Sequence, residues 1–114
     1  MNTLEKEFVP YEQALELKAL GFDEPCFGLF IRDKSLLVKE MPNQNECEIY
    51  FGGILAPTFS QAFRWFRDKH NLKDKYGVFP HHTIMFNYII GGGKEEEAEL
   101  ACLRKLIEIV KQNL

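Results

Sequence analysis

Cys26-Phe27-Gly28-Leu29-Phe30-Ile31-Arg32-Asp33-Lys34-Ser35-Leu36-Leu37-Val38-Lys39-Glu40 is the stretch on which the fold turns. Its first six residues are apolar on both alternating faces, the pattern of a strand covered on both sides. Arg32 to Ser35 is polar and forms the turn, and Leu36 to Glu40 returns, so the segment predicts a β-hairpin. Met41-Pro42-Asn43-Gln44-Asn45-Glu46 follows as a loop of turn formers. Cys47-Glu48-Ile49-Tyr50-Phe51 alternates and reads as a third strand, ended by Gly52-Gly53.

Helical patterns flank this β-rich centre. Before it, Pro10 to Leu20 reads as a helix, with Tyr11, Ala14, Leu15 and Leu17 on one broad face. Gly21 supplies a left-handed stop, and Phe22 can fold back on Leu17. Lys18 within the apolar arc reads as a lysine laying its stem on the core. After the centre, Thr58 and Gln61 have the spacing of a capping box. Phe59, Ala62, Phe63 and Phe66 then form one arc, with His70 continuing it. Tyr76 to Phe79 and Thr83 to Ile90 read as strands, the second near the sheet centre. Gly91-Gly92-Gly93 separates them from a last helix opened by Lys94-Glu95-Glu96-Glu97. The expected order is α-β-β-β-α-β-β-α. That is an α+β fold, a mostly antiparallel sheet of four or five strands packed with three helices.

The length of 114 residues fits one domain, 1–114, with residues 1–8 expected as a disordered start. No apolar stretch approaches the ~20 residues needed to span a bilayer. The first seven residues are too acidic and polar for a secretory signal. Cys26, Cys47 and Cys102 are an odd, widely spaced set without CxxC. They point to a reducing cytoplasm rather than a disulfide framework, although the sequence leaves a Cys26–Cys47 bridge open.

Three segments carry a resemblance. One runs Phe8-Val9-Pro10-Tyr11-Glu12-Gln13-Ala14 and Leu17-Lys18-Ala19-Leu20-Gly21-Phe22-Asp23-Glu24-Pro25-Cys26. The second is Ala56-Pro57-Thr58-Phe59-Ser60-Gln61-Ala62-Phe63-Arg64-Trp65-Phe66-Arg67. The third is Glu96-Glu97-Ala98-Glu99-Leu100-Ala101-Cys102-Leu103-Arg104-Lys105-Leu106-Ile107. Together they resemble small uncharacterised proteins encoded by phages, prophages and mobile elements of gut anaerobic bacteria. More weakly, the chain resembles phage α/β sandwich domains. The resemblance implies a cytoplasmic accessory protein of a mobile element. It assigns no residue a catalytic role.

Motifs for chemistry are thin. His81-His82 are adjacent and point different ways, without a third ligand at a recognisable spacing. Gly91-Gly92-Gly93-Lys94 lacks the phosphate-loop spacing, and the three glutamates after it would repel a phosphate. The cysteines read as buried structural residues. No catalytic, cofactor-binding or metal residue is assigned, and no cofactor is implied.

Two surfaces stand out instead. Trp65 falls about 100° from Phe66 on the helical wheel, with Arg64, Arg67 and Lys69 beyond it. Arg64, Trp65, Arg67 and Lys69 therefore form a candidate interaction surface, because Trp and Arg concentrate at binding hot spots. The competing expectation is that a second layer such as Ile54-Leu55 covers the indole. On the last helix the apolar arc is about 200° wide, twice what one core contact needs. Its Leu100, Leu103 and Ile107 edge is a candidate self-association surface, covered by a second copy or by the first helix.

Charge is uneven. Residues 1–24 hold six acids and two bases, whereas the segment around 58–82 is net basic within a chain of formal net charge -3. Two function classes follow. The first is a non-enzymatic protein-interaction module whose partner is another protein or a second copy. The alternative is a nucleic-acid-associated protein using the basic segment from Arg64 to Lys75. A small enzyme without a recognisable motif stands third. No membrane association is expected.

Overall fold

β1 (Cys26–Phe30) and β2 (Leu36–Met41) form the expected hairpin, antiparallel, with Leu29 opposite Leu37 and Phe30 opposite Leu36. The computed structural model describes residues 4–70 and 95–112. Across the turn, the Ile31 N–H donates to the Ser35 carbonyl at 3.0 Å and the Lys34 N–H to the Ile31 carbonyl at 2.9 Å. Lys34 sits at φ 70, the left-handed residue that completes a three-residue hairpin loop. Asp33 accepts from the Ser35 backbone N–H at 2.9 Å, and hydrogen bonding from Ser35 holds its carboxyl below the usual 3.8.

β3 (Ile54–Leu55) pairs antiparallel with the other side of β1, giving a three-stranded sheet in the order β2-β1-β3. Ile54 and Leu55, expected only as a covering layer, are the third strand. On one face, the Phe8 ring lies against Gly28 so closely that a Cβ there would stand 2.7 Å from its Cε1 atom. Tyr11 meets Phe30 edge to face at 5.5 Å. Residues 5–8, expected to be disordered, instead form a 3-10 turn (Glu5–Glu7) and bury Phe8, which bridges to Thr58.

α1 (Tyr11–Ala19) ends as its sequence dictates. Gly21 takes φ 98, its N–H donates to the Lys18 carbonyl, and the Phe22 N–H reaches back to the Leu17 carbonyl at 2.9 Å. Those two bonds are the Schellman pattern, and Leu17 and Phe22 are both buried. Leu15, expected on the apolar face, is 45% exposed.

One element differs in kind. The expected third strand, 47–51, is helical: α2 runs Gln44–Phe51. Asn43 is its N-cap, and the Asn43 side chain accepts from the Glu46 N–H at 2.8 Å. Gly52 closes it at φ 60. Capping chemistry at both ends outweighs the strand preference of Ile49, Tyr50 and Phe51.

The chain, which reads as one domain without a linker, packs as two compact units, Met1–Phe59 and Ser60–Leu114. α3 (Phe59–His70) starts directly after Thr58 and buries Phe59, Ala62, Phe63 and Phe66, the expected arc. α4 (Glu95–Gln112) buries Ala98, Cys102, Leu103, Leu106, Ile107 and Val110. The described architecture is therefore α+β, with four α-helices and a three-stranded antiparallel sheet among the described residues. The expected strands at 76–79 and 83–90, His81-His82 and Gly91-Gly92-Gly93 lie outside the described residues.

The assignment of 44–51 to a helix has a direct check. Asn43→Ala should cost about 1 kcal/mol, while Asn43→Asp should be nearly silent. Urea unfolding of the two variants separates them; equal stability of Asn43→Ala and the unaltered chain would mean that the cap carries no helix.

Candidate functional site: the open edge of the sheet

A three-stranded sheet has two edges, and these two are treated differently. The Ala56 N–H donates to the Gly28 carbonyl at 3.0 Å, so residues 28 and 56 are a hydrogen-bonded pair. Antiparallel alternation then turns the Leu55 N–H away from β1. Gln44, the first residue of α2, meets it there: its Oε1 accepts from the Leu55 N–H at 3.0 Å. Its Nε2 donates to the Gly53 carbonyl at 3.0 Å. One side-chain amide thus takes the place of a neighbouring strand. The Gln44 backbone N–H is itself accepted by an Asp23 carboxylate oxygen at 2.6 Å, which ties α2 to the loop before β1.

β2 has no such cover among the described residues. The Ile31–Ser35 bond marks residues 31 and 35 as a hydrogen-bonded pair. By alternation Leu37 faces β1 with its backbone groups, whereas Leu36 and Val38 turn theirs outward. The side chains along this edge are apolar and wet: Leu37 is 37% and Val38 52% exposed. A row of outward N–H and C=O groups flanked by apolar side chains is a template for an added strand.

A bulge shapes the end of the edge. Between the pairs Cys26–Met41 and Gly28–Val38, one β1 residue, Phe27, faces two on β2, Lys39 and Glu40. Phe27 shares the face of the fully buried Leu29 yet is 62% exposed. β1 is therefore not covered on both sides along its whole length, as its composition suggested. Around Phe27 opens a cleft of about 410 Å³ lined by Pro25, Cys26, Phe27, Glu40, Met41 and Pro42. Glu40 is the one charged residue of its lining, and the Cys26 thiol is turned to the Glu24 carbonyl at 3.3 Å. Ile49 and Tyr50 on α2 are also strongly exposed.

The surfaces expected from sequence fall elsewhere. On α3, Arg64 and Lys69 are exposed and Arg67 is half-buried, its Nε 3.6 Å from Asp68. Trp65 is not at the surface: it is 6% exposed and packs edge to face on Phe66 at 5.1 Å and on His70 at 4.7 Å. The indole is thus core, and the proposed hot spot loses its aromatic centre. On α4, Leu100 is half-buried, while Leu103 and Ile107 are already buried within the single chain. A second copy is not needed to cover that edge. Lys18 reaches Glu48 at 3.1 Å, an exposed ion pair of small energetic weight.

No disulfide joins Cys26, Cys47 or Cys102, and all three are buried. Burial pushes the Cys102 thiol up to about 12, with Glu99 adding to the effect. Burial and then Glu48 raise Cys47 as well, against an opposing effect of Lys18. Both thiols are protonated at neutral pH and poor nucleophiles. Among the described residues no group of three His, Cys, Asp or Glu side chains is placed to hold a metal, and no helix is long and apolar enough to cross a membrane. No family model, curated protein or solved structure matches the chain.

Sequence reasoning missed Phe27, Leu37 and Val38 as surface residues. The signal was Leu36-Leu37-Val38-Lys39-Glu40, three apolar residues followed by two charged ones, which alternates too poorly for a half-buried strand and is too charged for a covered one. Gln44 is the test of the closed edge. Gln44→Ala removes both hydrogen bonds and should cost about 1–3 kcal/mol. Gln44→Glu should also destabilise, because a carboxylate has no N–H for the Gly53 carbonyl. Thermal unfolding of both variants checks this; a silent Gln44→Glu would show that the Gly53 contact carries nothing.

Proposed function

We propose that this chain is a non-enzymatic protein-interaction module that binds an extended segment along β2. The supporting observation is the strand itself, with the outward backbone groups of Leu36 and Val38 lying between exposed apolar side chains. Strand addition draws its affinity from main-chain hydrogen bonds and its specificity from side-chain pockets beside them. The cleft around Phe27 is such a pocket, lined mostly by apolar residues and suited to an apolar side chain of the bound segment. The resemblance of the three quoted segments supports the wider setting of this proposal, a bacterial cytoplasmic accessory protein of a mobile element.

The nucleic-acid reading is the weaker one. It needs an aromatic platform beside its bases, and Trp65 is enclosed. Lys73 and Lys75 lie outside the described residues. Arg64 and Lys69 remain as exposed cations, a common feature of a solvated helix.

Val38→Pro separates the readings. The Val38 N–H points away from β1, so proline removes an outward donor without breaking the β1 ladder. Peptides selected from a random displayed library on the unaltered chain should bind Val38→Pro at least about tenfold more weakly. Equal binding to both would overturn the β2 site. Salt-sensitive oligonucleotide binding lost in Arg64→Ala would favour the alternative.

A further inference from the structure

We infer that the segment taken up by β2 is β2 of a second copy, paired antiparallel about a two-fold axis at Leu37. This rests on the reading of β2 as the binding edge and adds the identity of the partner. The outward groups belong to Leu36 and Val38, on either side of an inward-turned Leu37. A second copy centred on Leu37 sets Leu36 opposite Val38 on both sides of the axis. Each of those two pairs exchanges two hydrogen bonds, and every outward group of one copy meets its complement on the other.

The side chains select the same register. Centred on Leu37, the strand opposes Leu37 to Leu37 and Leu36 to Val38, apolar against apolar throughout. A register centred on Val38 would set Leu37 against Lys39 and Leu36 against Glu40. One centred on Lys39 would oppose two ammonium groups, which is destabilising. The bulge at Lys39 and Glu40 bends the strand beyond this point and confines regular pairing to its first half. The exposed side chains of Leu37 and Val38 become covered, and two three-stranded sheets become one of six. Closed two-fold pairing also consumes the free edge, so assembly stops at two.

The register is tested by cross-linking. A non-hydrogen-bonded antiparallel pair has Cα atoms about 4.5 Å apart, within the range a disulfide spans. Leu37→Cys should therefore form a covalent dimer under mild oxidation, whereas Ser35→Cys, which faces Lys39 of the other copy, should not. The native cysteines are buried and give little background. Sedimentation equilibrium of the unaltered chain should show a dimer at high micromolar concentration that is lost in Val38→Pro. Leu37→Cys cross-linking no faster than Ser35→Cys, together with a monomeric unaltered chain, would overturn the inference. If selected peptides still bind in a Val38-dependent way, β2 remains the binding edge and only self-pairing falls. If they do not, both readings fall together.

Discussion

Backbone hydrogen-bonding demand at the two edges of a short sheet is the constraint on which the rest of this structure depends. Three strands leave two rows of donors and acceptors without a strand partner. At β3 the demand is met by one side chain, Gln44, which reads the Gly53 carbonyl and the Leu55 N–H as a neighbouring strand would. That solution needs α2 to be a helix starting at Gln44, and so needs Asn43 as its cap and Asp23 as the acceptor of its first N–H. At β2 no comparable device is present among the described residues. The asymmetry gives one edge a structural partner and leaves the other without one among the described residues.

The centre of the sheet explains why β1 tolerates this arrangement. Its Gly28 lets the Phe8 ring lie on one face, and Phe30 holds Tyr11 beside it. Its Leu29 is buried on the other face. Only at the bulge does cover fail, where Phe27 meets two β2 residues instead of one. The exposed Phe27, the cleft beside it and the bend in β2 are thus one feature with one cause, the extra residue in β2.

Much of the fold was legible in the sequence where local chemistry is self-contained. The ending of α1 at Gly21, the hairpin and the helix from Phe59 follow from caps, turns and periodicity that need no distant partner. Residues 47–51 did not read correctly, because Ile49, Tyr50 and Phe51 favour strands while the deciding groups, Asn43 and Gly52, lie outside the alternating run. Trp65 shows another limit. A helical wheel orders residues around the axis but does not show how wide the cover is, and here it extends past Phe66 to enclose the indole. The same holds for Leu103 and Ile107, whose wide apolar arc is accounted for within one chain. The candidate site was least legible: the mixed run Leu36 to Glu40 marks exposed side chains, but which strand lies at an edge is set by strand order, not by a local pattern.

Residue-resolved amide hydrogen exchange tests the unequal edges most directly, with the chain diluted until it is monomeric. Both Leu55 and Val38 turn their N–H groups away from β1, so a sheet with equivalent edges would exchange them alike. The Leu55 amide, held by Gln44, should exchange slowly and the Val38 amide fast. Comparable protection of the two amides in the monomer would contradict this.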